Sequence, residues 1–275
     1  RRAPIAGDGV VGGAFAELDL RADPRVAAAR VAAWLERRGA RFAWGAAATE
    51  VAPPYVETTA GRVRADGAVV CPGPDLTTLF PEVFAGREGL TRCKLQMLRV
   101  AAPGHPPIGP SVVTGLSLLR YPAYAEWPAA EAVRARLCST RPELLEAGVN
   151  LIVAQRPGGD LIVGDTHEYG LAVSPFGDER LDELLLGEAR ALLGTPRLDV
   201  LERWHGIYPV APGDPLLVGA PRPGVRVATV VAGVGMTIGL GVAADVLDDL
   251  DGASAAVTRA SGTPPLPDGR RPSAP

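Results

Sequence analysis

The sequence predicts a mixed α/β (α+β) fold, in which one α/β domain is interrupted by an antiparallel sheet with helices on one face. Three features indicate this arrangement. A helix and several short strands precede residue 89, longer strands fill residues 90–209, and the α/β pattern returns over 210–251. With 275 residues, 47% of them hydrophobic, the chain can bury one large or two modest domains.

The first part, residues 1–89, is predicted to hold one helix followed by a β-meander. Residues 12–20 have an extended pattern. Asp23-Pro24 marks a strong helix start, because Asp caps helices and Pro favours their first turn, and the helix is predicted over 26–38. Short strands are predicted at 41–44, 49–51, 55–58, 63–65 and 68–71.

The middle part, residues 90–209, is predicted to form the interrupting domain. Strands are predicted at 92–100, 112–120, 150–155, 161–163 and 200–208. Helices are predicted at 131–138, 143–146 and 178–193. This order favours an antiparallel sheet with the helices on one side.

A strand, a glycine turn and a helix end the folded part of the chain. Val227, Val230 and Val231 belong to the predicted strand, Gly233 and Gly235 to the turn, and residues 236–250 to the helix. The first helical turn has no bulky polar side chain, so its bare N–H groups can attract an anion such as phosphate. The alternative is a simple packing turn. Residues 252–275 are predicted to be a disordered tail.

Composition excludes several classes of protein. A net charge of −3 gives no footprint for nucleic acid or an anionic membrane surface, and no apolar run is long enough to span a bilayer. The three cysteines are odd in number and lack zinc-site spacing, which predicts a soluble protein of the reducing cytoplasm without a metal. Because the chain opens on Arg1 rather than Met, we expect upstream residues.

A Gly-x-Gly-x-x-Gly match at Gly7, Gly9 and Gly12 is interpreted as a decoy. The dinucleotide fingerprint requires a buried strand before the turn and a helix after it. Only six residues, including Pro4, precede this match, and an extended pattern follows it.

Of the 28 basic residues, Lys94 is the only lysine. An ammonium is compact and titratable, whereas a guanidinium is planar and always charged, so the single lysine can mark a site that requires the former. The alternative is chance survival of a lysine that reaches solvent from a strand.

Five runs of the sequence occur in an order that resembles the FAD-dependent oxidoreductases of the D-amino acid oxidase and sarcosine oxidase superfamily. They are Val11-Gly12-Gly13, Leu20-Arg21-Ala22-Asp23-Pro24, Ala65-Asp66-Gly67-Ala68-Val69-Val70-Cys71-Pro72-Gly73, Trp204-His205-Gly206-Ile207-Tyr208-Pro209 and Gly233-Val234-Gly235-Met236-Thr237. The resemblance implies an FAD-binding, Rossmann-like domain over 1–89 and 210–251, with a substrate domain over 90–209. It also implies that the N-terminal strand and glycine fingerprint that bind the ADP half of FAD lie upstream of Arg1.

Two further runs resemble one branch of that superfamily, the bacterial oxidases encoded beside phosphonate-degradation enzymes. These runs are Leu90-Thr91-Arg92-Cys93-Lys94-Leu95-Gln96-Met97 and Gly164-Asp165-Thr166-His167-Glu168-Tyr169-Gly170. The branch implies oxidation of 2-aminoethylphosphonate or its N-methylated relatives.

Departures from the family pattern refine these expectations. Gly206 stands where monomeric sarcosine oxidases attach flavin through a cysteine, which implies non-covalent FAD. Thr237 stands where those enzymes bind the substrate carboxylate with a lysine, which disfavours a simple N-methyl amino acid. Val163 stands where they carry an oxygen-activating lysine. Either Lys94 takes that role, or electrons pass to an acceptor other than O2.

The resemblance also assigns candidate site residues. His167 matches an active-site histidine and is predicted to act as a base near neutral pH, although a capping or core histidine fits the same residues. Lys94 is the second catalytic candidate. The predicted cofactor-binding residues are Gly73, Gly206, Gly233, Val234, Gly235, Met236 and Thr237.

A phosphonate requires cationic donors, and four candidates lie on predicted strands of the substrate domain: Lys94, Arg92, Arg120 and Arg203. Strand alternation places Arg92 and Lys94 on the same face, where both could reach one anion. Tyr169 and Tyr208 are predicted to line the cavity, or else to be core aromatics.

The sequence therefore predicts an FAD-dependent enzyme that oxidises a C–N bond of a small, anionic amine and reduces O2 or another acceptor. Two alternatives stay open. One is a non-catalytic substrate-binding fragment or subunit without its own nucleotide-binding half. The other is a dehydrogenase that does not use O2.

Overall fold

The computed structural model of the chain describes residues 3–6 and 10–252. Gly7 and Gly9 of the glycine match, and residues 253–275 of the predicted tail, lie outside the described residues. The helices are α1 (Pro24–Glu36), α2 (Pro81–Phe84), α3 (Gly115–Leu118), α4 (Pro122–Ala125), α5 (Pro128–Thr140), α6 (Pro142–Glu146), α7 (Glu179–Leu193) and α8 (Gly235–Leu250). The strands are β1 (Ala48–Ala52), β2 (Tyr55–Thr58), β3 (Gly61–Arg64), β4 (Ala68–Val70), β5 (Thr91–Ala101), β6 (Val112–Val113), β7 (Ile152–Gln155), β8 (Leu161–Gly164), β9 (Glu168–Gly170), β10 (Asp199–Val210), β11 (Leu216–Arg222) and β12 (Val225–Val230).

The chain separates into two compact units. The first, here called the sheet unit, contains the described residues up to Ala43 together with Arg92–Ile207. The second, the turn unit, contains Trp44–Thr91 and the described residues from Tyr208 onward. The mixed α/β class predicted from the sequence is confirmed. No helix within the described ranges is long and apolar enough to cross a membrane.

The sheet unit is built on a six-stranded sheet in the order β10-β5-β8-β7-β6, with β9 also paired to β5. Side chains of β5 alternate between its two faces. Leu98 and Val100 pack in the core with Leu185 and Leu186 of α7, and we call this side the helix face. On the opposite side, the open face, Met97 is only half-buried.

The sequence of helix α7 explains where the helix begins and ends and which side it buries. Asp178 caps it by accepting a hydrogen bond from the Arg180 amide, and acidic residues occupy the first turn, where the helix dipole favours them. Gly194 ends the helix at φ 65°, a left-handed conformation that glycine adopts without steric cost. Its buried leucines recur at helical spacing and cover the helix face.

A closed ring of alternating charges joins the start of α1 to the six-stranded sheet. Arg99 contacts Glu202 at 2.6 Å and Asp160 at 3.0 Å. Arg156 contacts Asp160 and Asp23, both at 3.2 Å. Two further contacts close the ring, from the Arg25 side chain to Glu202 and from the Arg25 amide to Asp23. Helix α1 has no buried residue, so these charges and the stacking of Arg25 on Trp204 hold its first turn.

The turn unit contains two small sheets. The first is the antiparallel meander β1-β2-β3. In the second, ordered β11-β12-β4, β12 pairs antiparallel with β11 and parallel with β4. Their shared core includes Val51, Phe84, Leu217 and Val227. Helix α8 follows β12 through a glycine turn.

Two predicted strands, 112–120 and 41–44, and the stretch 12–20 with an extended pattern differ from the structure. Only Val112–Val113 of the predicted strand 112–120 pairs, and helix α3 follows, because an apolar run without clear periodicity fits either element. Residues 41–44 form no strand, and the side chain of Trp44 is mostly exposed. Residues 12–20 also form no strand and are exposed. Sequence patterns missed the short elements β9, α2 and α4, and they missed β11.

We predict that Glu202→Gln weakens the charge ring in a pH-dependent manner. The Arg99 and Arg25 side chains lower the pKa of Glu202 from 4.5 to about 2. Its stabilising effect is therefore fully present above pH 4.5 and is lost as pH falls toward about 2. The urea midpoint of the variant should lie below that of the native protein above this window, and the two should converge within it. Glu131→Gln, on an exposed side chain of α5, is the control; equal midpoints at all pH values would contradict the prediction.

Candidate functional site

Three side chains that the sequence predicts at the site, His167, Tyr169 and Arg120, lie together in the sheet unit. The His167 and Tyr169 rings stack with centroids 6.1 Å apart; His167 directly precedes β9, and Tyr169 lies on it. Arg120 Nη1 donates to the Tyr169 hydroxyl at 2.9 Å. We call these residues, with Asp165, the histidine cluster.

Arg120 does not lie on a strand, and that prediction is wrong. Strand pairing ends at Val113, and Thr114, with extended backbone, begins helix α3. Arg120 lies in the turn after this helix and reaches Tyr169 from there.

His167 is held neutral at physiological pH. Its Nδ1 lies 2.8 Å from the Gly148 carbonyl oxygen, so Nδ1 carries the proton and donates, which leaves Nε2 as an acceptor. Burial, and then the charge of Arg120, lower the pKa of His167 from 6.5 to about 4. The sequence predicts a base near neutral pH; the structure instead gives a hydrogen-bond acceptor that is a weak base.

Asp165 is a buried carboxyl in the histidine cluster, and the sequence did not single it out. Burial raises its pKa from 3.8 to about 6, against the opposing effects of Asn150 and Arg120. Its Oδ1 is buried and has no hydrogen-bond partner among the described residues. Oδ1 lies 3.6 Å from His167 Nδ1, but this contact is not an ion pair, because His167 is neutral wherever Asp165 is ionised.

The other predicted cations bind groups of the chain itself. Lys94 Nζ donates to Glu168 Oε2 at 3.2 Å and to the Phe176 carbonyl. Arg92 donates to the Leu171 carbonyl at 2.6 Å. Arg203 contacts Glu179 and Asp182 of α7 at 2.7 and 2.9 Å. Arg92 and Lys94 do share a face, but each binds a different carbonyl.

A cavity of about 480 Å³ lies beside Lys94. Its charged and polar lining consists of Lys94, Gln96, Glu146, His167, Glu168, Asp178 and Arg180. Gln96 was not predicted, although it alternates with Lys94 along β5. Its side-chain nitrogen donates to the Asp182 carboxylate at 2.7 Å, and its side-chain oxygen accepts from the Asp178 amide at 2.7 Å. These hydrogen bonds connect β5 to the start of α7.

The glycine turn of the turn unit leads into α8 without a side-chain cap. Gly233 has φ 70°, and a Cβ there would lie 3.1 Å from the Tyr208 ring, so only glycine fits. The Val234 carbonyl accepts from Thr237 and Ile238, and no side chain caps α8. The first amides of α8, at Gly235 and Met236, are those that a helix leaves without intrahelical partners.

These residues fit the FAD that the resemblance implies. The bare amides of α8 suit a negatively charged group. Tyr208, predicted to line the cavity, packs instead against Gly233 of this turn. Gly73 has φ 59°, and a Cβ there would meet no described atom within 4 Å. A Cβ at Gly206, on β10 of the sheet unit, would likewise meet no described atom within 4 Å. Glycine has no thiol that could form a covalent link to flavin.

We predict that Asp165→Asn stabilises the protein at neutral pH. A carboxyl with raised pKa destabilises the folded state once it is ionised, so native stability falls as pH rises from 3.8 to about 6. The variant removes this loss, and at pH 7 its free energy of unfolding should be higher by up to about 3 kcal/mol. Below pH 3.8 the two proteins should be equal. Asp248→Asn is the exposed control, and a gain that persists in acid would argue against this origin.

We predict that Gly148→Ala displaces His167. Gly148 has φ 57°, and a Cβ would lie 2.9 Å from the Cβ of His167 and 3.2 Å from its carbonyl oxygen. The variant should lose roughly 1–3 kcal/mol of stability through backbone strain. The His167 pKa, followed by NMR, should rise from about 4 toward 6.5 as the ring becomes solvated. Gly109→Ala, where a Cβ meets no described atom within 4 Å, is the control; an unchanged His167 pKa would refute the prediction.

Several solved protein structures are similar in fold to this chain. A glycine oxidase from Geobacillus kaustophilus is similar with a TM-score of 0.61 and 18% identity over 83% of this chain and 54% of that one. L-proline dehydrogenase from P. horikoshii has a TM-score of 0.63 and 14% identity over 86% and 57%. NikD, an amino acid oxidase of nikkomycin biosynthesis, has a TM-score of 0.57 and 16% identity over 88% and 61%.

The chain spans about half the length of the first two structures. No curated protein sequence matches it. The family described as FAD dependent oxidoreductase matches residues 1–249. Since this match covers most of the sequence, the chain belongs to the FAD-dependent oxidoreductase (DAO) family, and its cofactor is FAD.

Proposed function

We propose that the intact protein oxidises a C–N bond of a small amine, and that its favoured substrate is an aminophosphonate such as N-methyl-2-aminoethylphosphonate. The observation that best supports this proposal is the histidine cluster. It combines a neutral imidazole that can accept a hydrogen bond with an arginine and a tyrosine that can donate them. A small molecule with an amine at one end and an anion at the other matches these groups.

Bound FAD supplies the hydride acceptor for this reaction. The role of the chain is to bind the amine in its neutral form and to orient its C–H bond. We infer that His167 Nε2 accepts a hydrogen bond from the amine N–H and leaves the nitrogen lone pair available. The charge of Arg120, which also lowers the pKa of His167, disfavours a protonated amine nearby.

For the anionic end we favour Arg120 and the Tyr169 hydroxyl. Arg120 Nη1 already orients this hydroxyl at 2.9 Å, so the two donors are arranged before substrate binds. A guanidinium suits phosphonate oxygens because it donates along two parallel directions. Lys94 and Arg203, the other predicted anion-binding cations, form ion pairs with Glu168 and with Glu179 and Asp182.

We infer that FAD is bound without a covalent link. In the turn unit, the residues that would contact it are Gly73 and the turn Gly233, Val234, Gly235, Met236 and Thr237, where the bare amides of α8 suit a developing negative charge. Gly206, in the sheet unit, has no thiol that could form a covalent link. The structures that the chain resembles are about twice as long as the part it matches. We propose that the ADP half of FAD is bound by a part of the intact protein outside these 275 residues.

A second candidate function is a dehydrogenase that passes electrons to an acceptor other than O2. Val163, which stands where the resemblance would place an oxygen-activating lysine, is fully buried in the core beneath α7. Lys94, the alternative ammonium, is bonded to Glu168 and to the Phe176 carbonyl. Comparing peroxide yield with dye reduction distinguishes the two functions.

The proposal predicts how the intact flavoprotein responds to amines under anaerobic conditions. N-methyl-2-aminoethylphosphonate should bleach the flavin band faster than sarcosine or a D-amino acid does. Arg120→Met should weaken binding of the phosphonate roughly tenfold to a hundredfold, the value of one charged hydrogen bond. Binding of N-methylpropylamine, which lacks the acid group, should change by a clearly smaller factor.

Arg134→Met, on the exposed surface of α5, serves as the control. Reduction by sarcosine or a D-amino acid in place of the phosphonate would keep the amine chemistry and discard the substrate. A protein that binds no flavin would overturn the proposed function.

A further inference from the structure

The segment between β9 and α7, residues 171–178, is fastened to β5 by three side chains that alternate along one strand face. We call this segment the strap. Arg92 donates to the carbonyl of Leu171, at the start of the strap, at 2.6 Å. Lys94 donates to the carbonyl of Phe176.

Gln96 fastens the end of the strap. Its side-chain oxygen accepts from the Asp178 amide at 2.7 Å, and its side-chain nitrogen donates to the Asp178 carbonyl at 3.0 Å. Successive residues on one face of a strand are two positions apart, so the three side chains bind the strap in the order in which it runs.

Lys94 is the central and most buried of these contacts. Its side chain is 2% exposed, and its ammonium is paired with Glu168. The other oxygen of that carboxylate accepts from the Ser174 amide at 3.2 Å, so Glu168 joins Lys94 to the middle of the strap. A buried ammonium is costly unless it is paired and hydrogen-bonded, and this one meets both conditions.

Glu168 also fixes the register of β9. It lies opposite Lys94, and Tyr169 lies opposite Cys93. Because neighbouring residues of a strand point to opposite faces, Glu168 on the helix face leaves Tyr169, opposite Cys93, on the open face. His167, which directly precedes β9, stacks on Tyr169 and also lines the cavity beside Lys94. A slip of one residue would turn the Tyr169 ring to the other face and shift His167 along the sheet.

We propose that Lys94 is a positioning residue, which together with Glu168 holds the strap on β5 and thereby sets the His167 and Tyr169 side chains for the reaction. The proposal rests on the proposed function only in treating those two side chains as part of the active site. Lys94 itself contacts neither substrate nor cofactor.

The single lysine of the chain suits this role. An ammonium presents donors in several directions from one small centre, which matches a carboxylate and a carbonyl in a confined space. A guanidinium is planar and larger, and its donors are fixed in a fork. We therefore expect Lys94→Arg to hold the strap less well than Lys94, in spite of its equal charge.

Chymotryptic cleavage after Phe176 tests the hold on the strap in the intact flavoprotein. The Phe176 side chain is 77% exposed and accessible, whereas its carbonyl is bound by Lys94. Lys94→Met and Glu168→Gln should each accelerate cleavage roughly tenfold or more, the value of one charged hydrogen bond. The double variant should accelerate cleavage by less than the product of the two single effects, because the variants share the Lys94–Glu168 interaction.

Arg197→Met, which removes an exposed ion pair with Asp199, is the control and should leave the cleavage rate unchanged. Should Lys94→Met fail to fold, Glu168→Gln still decides, since the Glu168 side chain is 46% exposed and Gln has nearly the same shape. Cleavage at the native rate in Glu168→Gln would overturn the proposal.

Kinetics separate positioning from substrate binding. A positioning role predicts that Lys94→Met lowers kcat by a similar factor for N-methyl-2-aminoethylphosphonate and for N-methylpropylamine, with little change in KM. If Lys94 bound the anion directly, KM would rise for the phosphonate alone and the strap would stay closed, which would refute the proposal. A native protein that oxidises neither amine would refute the proposed function, whereas the cleavage rates would still test the strap.

Discussion

The alternation of side chains along β5 is the constraint on which the rest of the sheet unit depends. One face of β5 carries Leu98 and Val100 into the core beneath α7. Nearer the start of the strand, the same face carries Gln96 and Lys94, which bind the strap. The apolar end secures the helix through burial, and the polar end secures the strap through hydrogen bonds. Because one strand does both, a shift in β5 would disturb the core and the candidate site together.

Charged side chains of the sheet unit have different partners in different places. On the helix face, Arg203 and Lys94 are matched by carboxylates of α7 and β9. At the start of α1, the charge ring replaces the apolar contacts that this helix lacks. In the histidine cluster, Arg120 donates to the Tyr169 hydroxyl, and burial leaves His167 neutral. The cluster thus combines a guanidinium, a hydroxyl and a neutral imidazole, which are groups that can orient a small polar ligand.

Local sequence rules predicted much of the fold, and they failed where three-dimensional context decided. Caps and periodicity located α1, α7 and α8, and β5 was apparent from its long pattern. The run 112–120 was wrong because a continuous apolar segment carries no period, and β9 was missed because three residues carry too little pattern. His167 and Tyr169 were named from the resemblance. Asp165 and the Lys94–Glu168 pair were out of reach, since pKa depends on burial and the pair joins residues 74 positions apart.

A buried, solitary lysine also makes this chain unusual as a reagent target. Amine-reactive labels and cross-linkers require an accessible, deprotonated amine, and the only side-chain amine of these 275 residues is 2% exposed and ion-paired. While the sheet unit stays folded, such reagents should leave the Lys94 amine unmodified. Any acylation that does reach Lys94 would therefore report a local opening of the protein rather than its average surface, so that one residue acts as an internal gauge of how often the sheet unit opens.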